Sequence, residues 1–157
     1  MVVNYKSKLG IPAIKNIFLF YFLFFIFFTT HADIITIYPV EDTFADSSSP
    51  TLNSGTSPVM SVVNWPPIYN YSFIKFSSSD LPAGTINNAI LYFNSGYSMG
   101  NPALGFMQCA SDWTETGLTY ENMPGVIGTT AAANILDSTT GYYSVDITDI
   151  VNNWKAG

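Results

Sequence analysis

Short runs of β-branched and aromatic residues recur along residues 33–157, and each run is bounded by Gly, Pro, Ser, Asn or Asp. This pattern is typical of short strands joined by turns. The runs lie at residues 34–38, 59–63, 72–76, 89–93, 104–109 and 142–147. Several strands at this spacing predict an all-β fold, and a β-sandwich rather than strands alternating with helices.

One segment, residues 146–155, has helical periodicity instead. Ile147, Ile150, Val151 and Trp154 recur at intervals of three and four residues, so they share one face of a helix. Asp146 is placed to cap the N-terminus, where negative charge is favoured. We expect one short C-terminal amphipathic helix whose apolar face, including Trp154, closes one end of the sandwich.

The hydrophobic pattern near the start is of a different kind. Residues 17–28 form an unbroken apolar run, which three lysines precede and Thr30-His31-Ala32 follows. A basic flank, a short apolar core and a small-x-small exit predict a secretory signal peptide over residues 1–32, cleaved after Ala32. The run is shorter than the roughly 20 residues of a membrane span, so we expect no membrane association after cleavage. An uncleaved anchor is the alternative.

Cleavage changes the charge of the chain. Eleven acidic residues would remain against Lys75 and Lys155 only, which gives a formal charge of −9. Such an acidic chain lacks the basic surface that nucleic acids require, so a nucleic-acid partner is excluded.

The single histidine, His31, lies in the predicted signal peptide. Residues 33–157 therefore cannot form a Ser-His-Asp triad or bind a metal through an imidazole group. Cys109 stands alone in an apolar run, so we expect a buried thiol, with pairing between chains as the alternative.

Four segments, correctly ordered, resemble the DNRLRE (disaggregatase-related) domain, also classed as carbohydrate-binding module family 96. The segments are residues 42–56 (DTFADSSSPTLNSGT), 72–92 (SFIKFSSSDLPAGTINNAILY), 113–124 (WTETGLTYENMP) and 145–157 (VDITDIVNNWKAG). The third is the most specific. Together they are spread in order over nearly the whole length of residues 33–157, which we therefore interpret as one domain of this kind.

The resemblance implies an exported, non-catalytic module with a jelly-roll-like β-sandwich that binds a polysaccharide or cell-surface glycan, at the cell surface or in the extracellular matrix. Members usually continue past the helix with a strand hairpin. We therefore expect a C-terminally truncated domain that self-associates or accepts a strand from a partner. The alternatives are a structural or adhesive surface domain without a soluble glycan ligand and, less favoured, a polysaccharide-degrading enzyme.

Residues 64–71 (NWPPIYNY) concentrate aromatic residues and prolines between two predicted strands. Sugars stack their C–H faces on exposed aromatic rings, so Trp65, Tyr69 and Tyr71 are the candidate carbohydrate-binding residues. The alternative is that Trp65 folds back over the end of a sheet. Asn70-Tyr71-Ser72 is also an N-glycosylation sequon, which makes Asn70 a candidate glycosylation site at the surface.

Two pairs of carboxylates are weaker candidates. Asp42 and Asp46, with the hydroxyl-rich stretch that follows, offer oxygen ligands for calcium, although any exposed loop has this composition. Asp112 and Glu115 could form an acid/base pair for glycoside hydrolysis. We favour a wide turn in which Glu115 and Asn122 satisfy backbone donors. No catalytic residue and no required cofactor are therefore predicted.

Overall fold

The computed structural model describes residues 33–98, 103–134 and 140–156. Its contacts divide the chain into two units, Met1–Thr36 and Ile37–Gly157. The second unit holds every strand and helix discussed below. The predicted signal peptide, residues 1–32, lies outside the described residues.

The described part of the second unit is built of antiparallel strands followed by one helix. The elements are β1 (Glu41–Asp46), β2 (Val63–Trp65), β3 (Ile68–Lys75), β4 (Ile90–Ser95), β5 (Ala103–Cys109), β6 (Val126–Asn134), β7 (Gly141–Asp146) and α1 (Thr148–Ala156). They form three sheets with the strand orders β1–β3–β2, β4–β7 and β5–β6. The predictions of an all-β class and of a short C-terminal helix are confirmed.

The predicted strands at 72–76, 89–93, 104–109 and 142–147 correspond to β3, β4, β5 and β7. The predicted strand at 34–38 is wrong, because this segment forms no strand and strand β1 begins at Glu41. Pro39 explains the displacement, since proline has no N–H to donate to a ladder. The first ladder bond comes directly after it, from Val40 N to Lys75 O at 2.8 Å.

Two further differences follow from strand pairing. The predicted strand at 59–63 is wrong except at its last residue: β2 runs from Val63 to Trp65, because these residues pair with β3 in a hairpin. Strand β6 was not predicted, because its sequence VIGTTAAAN is rich in small residues. Those residues suit the aromatic partner strand: Phe106 of β5 lies opposite Ala131 of β6.

The buried core of the first sheet comes from the alternation of β1 and β3. Thr43 and Ala45 point to the same side as their partners Phe73 and Tyr71, as expected for directly paired residues. Ala45 and Phe73 form a buried cluster with Leu118. Partly buried residues packed against this cluster are Cys109, Trp113, Tyr120 and Met123. Cys109 is a half-buried free thiol, and burial raises its pKa.

Helix α1 begins two residues later than predicted, but its cap is the expected one. Asp146 Oδ1 accepts hydrogen bonds from Thr148 N at 2.9 Å and from Thr148 Oγ1 at 2.6 Å. Val151 and Trp154 are half-buried rather than buried, so the apolar face covers its neighbours only in part. On the other face, Lys155 Nζ donates to the carbonyl groups of Pro82 and Gly84. The helix therefore also fixes the loop that precedes β4.

Candidate functional site

The candidate aromatic segment is a β-hairpin rather than a loop. Trp65, the last residue of β2, pairs with Ile68, the first residue of β3, and Pro66 and Pro67 form the turn between them. We call these four residues the hairpin tip. Trp65 is 73 % exposed, and Ile68 is also exposed. Trp65 therefore does not fold back over a sheet, and it presents its ring to solvent.

The base of the hairpin is tied to the turn that follows β1. Tyr69 N donates to Ser47 Oγ at 2.8 Å, and Ser47 N donates to Tyr69 O at 3.0 Å. These two bonds fix the backbone one residue away from the tip. The exposed Trp65 ring is thus carried by an anchored backbone, which lowers the entropy lost when a ligand binds.

The strand register separates the three predicted binding residues. Trp65 shares a face with its partner Ile68, whereas Tyr69 and Tyr71 belong to the opposite face of β3. Tyr71 stacks on Tyr120, with ring centroids 6.3 Å apart and planes 30° apart. Trp65 therefore lies on one side of the hairpin, and the two tyrosines lie on the side that continues into the core.

Asn70, the asparagine of the sequon, is buried and only 8 % exposed. Its amide nitrogen can donate to Asp46 Oδ1 and Tyr69 O, each at 3.0 Å, while its oxygen accepts from Ser61 Oγ at 3.1 Å. This orientation satisfies both ends of the amide. The surface position expected for a glycosylated asparagine is therefore not found, because Asp46 and Ser61 enclose the Asn70 side chain on the face of β3 that also carries Ile68.

The two calcium candidates do not converge on one point. Asp42 and Asp46 lie four residues apart on β1, which separates them by about 13 Å along an extended strand. Asp46 Oδ1 instead accepts a hydrogen bond from Ser48 N at 2.8 Å, an arrangement that closes the turn after β1. Among the described residues, no group of three or more His, Cys, Asp or Glu is placed to hold a metal ion.

Lys75 is the centre of a small charged network at the other end of β3. Its Nζ lies 3.0 Å from Glu41 Oε2 and 2.9 Å from Asp112 Oδ1. It also donates to the Trp113 carbonyl and lies 5.1 Å from the centroid of the Trp113 ring. The hydrogen bond with Asp112 is the largest cause that raises the pKa of Lys75. This lysine is thus fully engaged by neighbouring groups of the same domain.

The same network argues against an acid/base pair of Asp112 and Glu115. The hydrogen bond from Lys75 lowers the pKa of Asp112, which keeps this carboxylate ionised at neutral pH and without a proton to donate. Glu115 is held by its backbone: its N–H donates to Glu41 Oε2 at 3.1 Å. The arrangement has the features of a structural anchor.

Two asparagines organise the segment 113–124, the most specific of the motifs. Asn122 Oδ1 accepts from Thr119 N at 2.7 Å, and Asn122 Nδ2 donates to Gly117 O at 2.9 Å. The expected wide turn pinned by Asn122 is therefore present. The expected role of Glu115 as a side-chain acceptor is taken instead by Glu41, which lies 74 positions away and could not be identified from local spacing.

Asn53 joins this turn to the first segment of the chain. Its Nδ2 donates to the carbonyl groups of Glu115 and Leu118, each at 2.7 Å, and its Oδ1 accepts from Gly55 N at 3.1 Å. Both motifs are therefore one structural unit, and their side chains serve the fold. The exposed hairpin tip is left as the part of the predicted site that is free to contact a ligand.

Comparisons with known proteins identify a family for this part of the chain. The model of carbohydrate-binding module family 96 matches residues 33–157, a range that includes all the strands and the helix described above. A comparison with curated proteins gives no match. Within the described part of the chain, no helix is long and apolar enough to cross a membrane.

Proposed function

This chain belongs to carbohydrate-binding module family 96, and we propose that it is an exported, non-catalytic module that binds a neutral polysaccharide through the hairpin tip. The observation that carries the proposal is the exposed Trp65 ring on an anchored hairpin. A tryptophan in this position contributes little to folding but offers a large apolar face to a sugar ring. Tyr71 is also exposed, but it lies on the opposite face of β3 and would contact a ligand separately from Trp65.

A neutral ligand is proposed because both lysines in the described part of the chain are already engaged by other groups. Residues 33–157 contain two basic side chains, Lys75 and Lys155. Lys75 is paired with Glu41 and Asp112, and Lys155 donates to two backbone carbonyl groups. Anionic sugars would meet an excess of carboxylates, while both lysine side chains already have partners. Hydroxyl-bearing neutral sugars suffer no such repulsion.

The non-catalytic part of the proposal is supported by the chemistry of the available groups. Residues 33–157 contain no histidine, and Asp112 is held ionised by Lys75. Glycoside hydrolysis requires a pair of carboxyl groups, one of which is protonated and acts as the general acid. Neither observation favours such a pair. We also propose that the three antiparallel sheets belong to a jelly-roll-like β-sandwich formed by residues 33–157.

Export is proposed from the basic flank, the apolar run at 17–28 and the small-residue exit, which together indicate a signal peptide over residues 1–32. When the full chain is expressed in a secreting host, the product in the medium should begin at Asp33. N-terminal sequencing of that product measures the cleavage site. A product that stays in the membrane fraction and begins at Met1 would contradict cleavage and favour an uncleaved anchor.

The tip is tested by replacing Trp65 with alanine in the exported product of the full chain. Retention in native gels that contain a neutral polysaccharide, such as a β-1,3-glucan or a galactomannan, should fall about tenfold, because the main stacking surface is lost. The free energy of unfolding should change by no more than about 0.5 kcal/mol, as is usual for exposed positions. Trp65→Phe, which keeps a smaller ring, should bind with intermediate strength.

Two results would contradict this assignment. A large fall in the melting temperature of Trp65→Ala would mean that the ring packs in the fold. Unchanged retention of a stable Trp65→Ala variant would exclude the tip as the binding site. Absence of retention by every polysaccharide, with recovery of the protein in the cell envelope, would favour a structural or adhesive surface domain.

A further inference from the structure

The sheet of β4 and β7 has one apolar inner face and one outer face that carries unexpected aromatic residues. On the inner face, Phe93 stacks on Tyr143 at 5.9 Å and contacts Phe106 at 5.5 Å. Alternation along the strands places Tyr92 and Tyr142 on the other face. Tyr92 is 75 % exposed, and Tyr142 is 87 % exposed. Neither ring therefore owes its position to burial in the core.

The register brings these two tyrosines together. Tyr92 lies opposite Ser144, and Tyr142 lies opposite Asn94. The four residues thus occupy the corners of one patch, with the two rings on a diagonal. Diagonal neighbours on adjacent strands are about 7–8 Å apart, which is within the reach of aromatic side chains. We call this group the outer patch. All four of its residues are exposed.

The chemistry of the outer patch matches a sugar chain better than a protein surface. Its two flat rings offer stacking surfaces, and the Asn94 amide and the Ser144 hydroxyl offer hydrogen-bond donors and acceptors between them. The charged residue that β4 and β7 place on this face is Asp146, which pairs with Ile90 at the end of the ladder. A carboxylate there disfavours an anionic ligand, and the net negative charge of the chain disfavours a second copy.

We infer that the outer patch is a second glycan-binding surface, which takes a neutral polysaccharide chain by stacking on Tyr92 and Tyr142. The inference rests on the proposed carbohydrate-binding function but concerns a different surface from the hairpin tip. Two binding surfaces on one small domain allow a long polymer to be held at two points, which raises the apparent affinity above that of either surface.

The test compares four forms of the exported product of the full chain: wild type, the double variant Tyr92→Ala/Tyr142→Ala, the double variant Tyr92→Phe/Tyr142→Phe, and Tyr97→Ala. Tyr97 is a matched control, because it is 72 % exposed but lies beyond the end of β4. Retention is measured in native gels that contain a β-1,3-glucan, a galactomannan or, as an acidic comparison, alginate.

We expect the alanine double variant to lose about tenfold in retention by the neutral polymer that binds the wild type. The phenylalanine variant, which keeps both rings, should retain most of the binding, and Tyr97→Ala should behave as the wild type. Circular dichroism melts should show that the exposed substitutions leave the fold intact. If the double variant is unstable, Tyr142→Ala alone, at the more exposed position, gives the same test.

Three outcomes would overturn the inference. Wild-type retention by the alanine double variant, together with loss in Trp65→Ala, would exclude the outer patch and leave the proposed function standing. Absence of wild-type retention by any neutral polymer would exclude both. A wild-type protein that self-associates in sedimentation, and a double variant that does not, would identify the patch as a contact between copies.

Discussion

Replacing Trp113 with alanine should lower the free energy of unfolding by about 3 kcal/mol, as is typical when an aromatic side chain is removed from a core. The Trp113 ring contacts Phe73 edge-on at 5.8 Å and packs against the buried cluster around Ala45. Its other side lies beneath the ammonium group of Lys75. The truncation therefore removes apolar packing and a cation–π contact at the same time. Urea unfolding of the exported product measures the loss.

Trp65→Ala is the matched control, because it removes the same side chain from the exposed hairpin tip. The two variants should separate cleanly: Trp113→Ala loses stability, while Trp65→Ala loses glycan retention at nearly unchanged stability. Trp113→Phe should recover part of the stability, since it keeps a ring against Phe73. Equal stabilities for Trp113→Ala and wild type would show that this ring does not hold the first sheet to the turn at 113–124.

Replacing Gly55 with alanine should destabilise the domain by about 2–3 kcal/mol, the usual range for overpacking. A Cβ atom at Gly55 would lie 2.3 Å from the backbone oxygen of Glu115 and 2.8 Å from its carbonyl carbon. Backbone atoms cannot move aside as a flexible side chain can. The two segments would have to separate, and this would stretch the hydrogen bonds from Asn53 to Glu115 and Leu118.

Gly84→Ala provides the control for this second variant, because a Cβ atom at Gly84 would meet no other atom within 4 Å. Its stability should equal that of the wild type or exceed it slightly, since alanine restricts the unfolded chain. Thermal melts of both variants measure the difference. If Gly55→Ala had the same melting temperature as Gly84→Ala, the close approach of residues 55 and 115 would not be part of the folded state in solution.

The fold could be predicted where local pattern and pairing agree. The alternation of the strand that became β7 and the helical spacing from Ile150 to Trp154 are local signals, and both elements were found. Pro39 could have corrected the predicted start of the first strand. Proline has no N–H to donate to a ladder, so a strand often begins next to it. Strand β6 could not be found in this way, since its small residues carry no local strand signal and pair with a strand more than 20 positions earlier in the chain.

The candidate site was predictable in composition but not in geometry. The sequence NWPPIYNY indicated exposed aromatics, and Trp65 is indeed exposed. Which face each residue occupies depends on a register that a two-proline turn sets, and a shift of one residue would exchange the faces. Tyr92 and Tyr142 lie 50 positions apart in sequence, so only the pairing of β4 with β7 could reveal the outer patch.

The contacts of Asn53 bear on the order in which the domain can fold. The chain leaves the ribosome, or an export channel, from its N-terminus. Asn53 therefore emerges before its hydrogen-bond partners Glu115 and Leu118, which lie 62 and 65 positions further along the chain. Until residues 115–118 have emerged, the turn after β1 lacks the groups that seal it, and Phe73 lacks the cover of Leu118 and Trp113. Closing such long loops is slow. The first sheet should therefore become resistant to proteases only after more than two thirds of the chain is available.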